Sequence, residues 1–136
     1  MPTGPTFEPW ADENPDAHPA CADDMLDVVA GIDREMNRLA AAKAIALELA
    51  HRAQTETVAP GPGFDSRLLA ERSFRAEVAA LLAISERAAE NLIGVSGALA
   101  TTLPGTLKAL GDGDISWRHA TIMVEETAGL DSDSQL

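Results

Sequence analysis

The sequence has no tyrosine, only two tryptophans and three phenylalanines, and a single cysteine. Scarce aromatics remove the residues that β-strands favour. Cys21 alone excludes an internal disulfide and fits a reducing, cytoplasmic setting. The first 33 residues hold no lysine or arginine, so the basic opening of a secretory signal is missing. No apolar run reaches the ~18 residues of a membrane span, and none is expected.

Chemistry-bearing groups are equally sparse. His18, His51 and His119 fall on separate elements, none at ligand spacing from another His, Cys or acid. His51 near the end of a long helix suits the helix dipole, and His119 reads as a helix-surface or packing histidine. Glu125 and Glu126 are adjacent and point apart on a helix. Neither Gly61/Gly63 nor Gly111/Gly113 is followed by the lysine of a phosphate loop. The expectation is no catalytic residue, no metal and no cofactor.

What is present is alanine and leucine, both strong helix formers, within a 46% apolar share. The patterning predicts an all-α chain of about five helices. The layout is an acidic, Pro-rich disordered arm over 1–22, a helical domain over 23–130 and a frayed end over 131–136. Asp23 or Asp24 caps a first helix over about 24–56, roughly 50 Å long. Met25, Val29, Ile32, Met36 and Leu39 follow one another at steps of 4, 3, 4 and 3, an a/d stripe that shifts to Ile45 and Leu49 beyond Lys43. So long a helix must pack along a partner, either the rest of the chain or a second copy.

Pro60-Gly61-Pro62-Gly63 stops that helix. A second runs over about 66–82, with Leu68 or Leu69, Phe74, Val78 and Leu81 or Leu82 inward. Ser85 caps a third over about 86–99, carrying Leu92, Val95 and Leu99. Leu103-Pro104 opens a short fourth that ends at Gly111-Asp112-Gly113. Ser116 caps a fifth, with Trp117, Ala120, Thr121 and Val124 inward and Gly129 as its stop.

The formal charge of −12 is uneven. Residues 1–33 carry eight acids and no base, 34–111 eight acids and nine bases, and 112–136 six acids and Arg118. A chain so acidic repels phosphate backbones overall, but its near-neutral middle leaves room for a local contact. The stretch from Arg75 to Gly94 resembles a helix-turn-helix. Ala79 is the small residue at the crossing; Val78, Leu82, Ile84, Ala89 and Leu92 lock it. Ala83 stands where a glycine is usual. If such a corner bound DNA, its second helix would present Ser85, Glu86, Arg87, Glu90 and Asn91, with Arg75 on the preceding helix toward phosphate, joined by Arg67 and Arg72. Arg87 matches guanine and Asn91 adenine, while Glu86 and Glu90 oppose them.

Three segments carry a family resemblance: the Ala-Leu-x-Ile-Ser-x-x-x-Ala corner, Leu-Pro-x-Thr-Leu-x-Ala-Leu from Leu103 to Leu110, and Gly-Asp-Ile-Ser-Trp-x-His-Ala from Gly113 to Ala120. Over Arg72 to Leu130 the chain resembles the helical domain of unknown function that precedes HNH nucleases in high-GC Gram-positive bacteria, the thirteen-E-twelve repeat family. The resemblance implies a nuclease-associated, mobile-element setting, and a chain truncated before the nuclease, with no catalytic residue to carry over. Three partner readings follow: DNA at Ser85 to Asn91, a homodimer through helix 24–56, or a basic partner held by the acidic arm.

Overall fold

A computed structural model describes residues 18–57 and 64–134. It gives five helices: α1 (His18–Glu56), α2 (Phe64–Leu82), α3 (Glu86–Thr101), α4 (Pro104–Gly111) and α5 (Trp117–Ser134). No strand occurs among the described residues. The chain is all-α, as its composition requires. It divides into two units, one ending at Ile32 and one spanning Asp33–Leu136.

The capping residues do what their chemistry dictates. Ser85 Oγ accepts the Ala88 amide at 3.1 Å, and Ser116 Oγ accepts the His119 amide at 3.1 Å. Pro104 opens α4 in the first turn, where no helical amide is needed. Helices α2 and α4 both end in Schellman motifs. In α2 the Ala83 amide reaches the Ala80 carbonyl and the Ile84 amide that of Ala79. In α4 the Gly113 amide reaches Leu110 and the Asp114 amide Ala109.

Two helix boundaries differ from expectation. Helix α1 starts at His18, before Asp23 and Asp24, so 18–22 is helical although it was expected in the disordered arm. Pro19 is compatible because it falls in the first turn, where a missing amide costs no helical bond. The rest of the arm, 1–17, and the Pro60–Gly63 turn lie outside the described residues. Helix α5 does not stop at Gly129 but runs to Ser134. Gly129 does not take the positive φ that would terminate it, so Asp131 to Ser134 is helical where a frayed end was expected.

In the unit ending at Ile32, every described side chain from Ala22 onward is exposed. The other unit holds the core, in two clusters. Ala41, Leu99, Leu110 and Ala120 form the first, covered by Val95, Leu107, Trp117 and Val124 among others. Phe74, Val78, Ala79 and Ala89 form the second, with Leu47, Leu82 and Ile93 against it. The expected inward residues Phe74, Val78, Leu99 and Ala120 are buried, whereas Leu68, Leu69 and Leu81 are exposed, Leu81 to 83%.

The largest correction concerns α1. Its inward face is Asn37, Ala41 and Ala44, not the a/d stripe, whose five members are 40–62% exposed. Small side chains let α1 approach closely. A Cβ at Gly111 would lie 3.7 Å from Ala41 Cβ, and one at Gly97 3.1 Å from Glu48 Oε2. Leucines in those places would hold the helices apart.

Candidate interaction surface

The helix-turn-helix-like corner is where α2 meets α3. Ala79 and Ala89 are buried in the crossing, as a close approach demands, and Val78 is buried with them. Ile84, expected to lock the corner, is 36% exposed. Ser85, Glu86, Arg87, Glu90 and Asn91 all reach solvent. Ser85 is occupied as the N-cap. Arg75 is half-buried, and its Nη1 lies 3.6 Å from Glu90 Oε1. That contact turns Arg75 toward its own protein. The corner therefore offers Arg87 and Asn91 flanked by two carboxylates, rather than a basic stripe.

A second cluster was not expected from the sequence. His51 Nε2–H donates to both carboxylate oxygens of Glu71, at 2.8 and 2.9 Å. The imidazole stacks on Phe74 with centroids 5.1 Å apart and planes 20° from parallel. Together with Gln54, Thr55, Ala70 and Arg67 they line a cleft of about 250 Å³. Among the described residues the cleft holds an imidazole oriented by a carboxylate, and no Ser or Cys lines it. The Thr55 hydroxyl is spent on the His51 carbonyl at 2.7 Å. The cluster ties α1 to α2. No signal in a single sequence joins positions 20 residues apart in this way. His119 is exposed, as a surface histidine on α5. Among the described residues no group of three or more His, Cys, Asp or Glu could hold a metal ion, and no helix is long and apolar enough to cross a membrane.

The third feature is the outer face of α1. Met25, Leu26, Val28, Val29, Ile32, Met36, Leu39, Ile45 and Leu49 are all exposed, between 40% and 66%. At 100° per residue, Met25, Val28, Val29, Ile32, Met36 and Leu39 fall within one stripe, whose centre lies about 110° from Ala44 and about 170° from Ala41. The charges on α1 are sorted along its length. Arg38 pairs with Glu35 at 3.3 Å and Arg52 with Glu48 at 3.0 Å. Asp23, Asp24, Asp27, Asp33 and Lys43 have no ion-pair partner among the described residues.

No family model, curated protein or solved structure matches this chain. The three segments that carry the family resemblance fall at the α2–α3 corner, on α4 with its N-cap, and across the turn into α5.

Proposed function

We propose that this chain is a non-catalytic helical interaction module that works by pairing the outer face of α1 with another helix. One observation carries the reading: nine large apolar side chains on a single helix are exposed, six of them in one stripe. Contiguous apolar surface of this kind marks an interaction site in a protein that otherwise buries its core. An amphipathic helix laid on that stripe would cover it by i, i+3, i+4, i+7 contacts. The corner, with Glu86 and Glu90 beside Arg87, supports DNA contact less well.

The test is a double substitution, Ile32→Glu with Met36→Glu, read by sedimentation and circular dichroism. The wild-type chain is expected to associate, and the variant to lose association while keeping its helix content and melting temperature as a monomer. A variant that melts several degrees below the wild-type chain at a dilution where both are monomers would overturn the reading, because the stripe would then belong to the chain's own core.

A further inference from the structure

We infer that the helix covering this stripe is a second copy of the chain, paired antiparallel through α1. The inference rests on the interaction reading above and adds the partner and its direction. With d at Met25, Ile32 and Leu39, the a positions are Val29, Met36 and Lys43. A parallel pair stacks like on like. Lys43 would meet its own copy in the seam. An antiparallel pair layers a against d. Val29 then meets Leu39 of the other copy and Ile32 meets Met36, with the two-fold axis level with Arg34.

In that register Lys43 falls opposite Met25 of the other copy. Its aliphatic stem covers the methionine, and its ammonium lies level with Asp24 on the flank of the seam. Lys43 and Asp24, which have no ion-pair partner among the described residues of one chain, thus find each other at both ends of the seam. Helix α1 carries both halves of the match itself, so no other protein is required. The cost falls at the axis, where exposed Asp33 flanks its own copy, screened by solvent.

The experiment uses the full chain with Cys21→Ser, Val29→Cys and Leu39→Cys, oxidised gently and mapped by mass spectrometry. A dimer whose disulfides join position 29 of one copy to position 39 of the other is expected. Within one helix those positions are about 15 Å apart, far beyond a disulfide's reach. In the chain with native Cys21, the two thiols would be roughly 39 Å apart along the axis and no disulfide dimer forms. Asp33→Asn should tighten the dimer severalfold, which a parallel pair, with Val28 beside Asp33, would not show. Links of 29 to 29 and 39 to 39, or a ready Cys21–Cys21 dimer, would overturn the antiparallel pairing while leaving α1 an interaction helix. A chain that stays monomeric and uncrosslinked, with the Ile32→Glu and Met36→Glu pair lowering its melting temperature, would overturn both.

Discussion

Ala83 and Gly113 hold the same position in two copies of one motif, at φ of +54° and +81°. Each is the left-handed residue closing a helix, α2 in the first case and α4 in the second. An L-residue there costs about 1–2 kcal/mol, which glycine avoids. Replacing Ala83 with Gly should raise stability by about 0.5–1 kcal/mol, after subtracting the extra freedom glycine has in the unfolded chain. Gly113→Ala should lose more than 1–2 kcal/mol. Its new Cβ would stand 3.2 Å from both the Arg34 Cβ and the Arg34 carbonyl oxygen, in addition to the strained φ. Opposite signs in paired urea melts check the assignment; a loss at both positions would contradict it.

Ser96 is 1% exposed, and its hydroxyl has no hydrogen-bond partner among the described residues. A buried hydroxyl without a partner forfeits its solvation and gains nothing in return. Ser96→Ala should therefore stabilise the fold by about 1 kcal/mol. A melting temperature that falls would show that the hydroxyl is engaged after all.

Leucines on this chain are not equivalent. Leu99 is fully buried and Leu81 is 83% exposed. Leu99→Ala should cost about 2–5 kcal/mol through lost transfer energy and a cavity in the α1/α3/α4/α5 cluster. Leu81→Ala should stay within about 0.5 kcal/mol. Chemical denaturation of the two variants side by side tests the burial pattern directly.

Lys108 donates to Asp112 at 2.6 Å, and this hydrogen bond, with the carboxylate charge, raises its pKa above the ordinary lysine value. A raised folded-state pKa means a stabilising contribution that is complete below the unfolded value and lost as pH climbs through the folded one. The pair is exposed, so the effect is small and salt-sensitive. Lys108→Met should melt slightly below wild type at pH 7, with the gap closing above the lysine range. A gap that widens with rising pH would reverse this account.

Much of the fold was legible in the sequence because its determinants are local. Ser85 and Ser116 cap helices through an amide three residues away. Pro104 opens a helix because of its own missing amide. Phe74, Val78, Leu99 and Ala120 follow the helical period. The interaction candidates were legible only as a stripe. Periodicity shows that Met25, Val29, Ile32, Met36 and Leu39 share a face, but not what that face meets.

Sequence alone thus determined that the chain is helical, where most of its helices begin and end, and that α1 carries an apolar stripe. Only the tertiary structure decided which face of α1 enters the core. Shape, not hydrophobicity, made that choice. Ala41 fits against the close backbone at Gly111 and packs with Leu99 and Leu110, Ala44 is buried on the same helix, and the bulkier stripe was left outside. The His51–Glu71 and Arg75–Glu90 contacts were likewise set by helix packing, since each joins residues from different helices whose spacing follows no local rule.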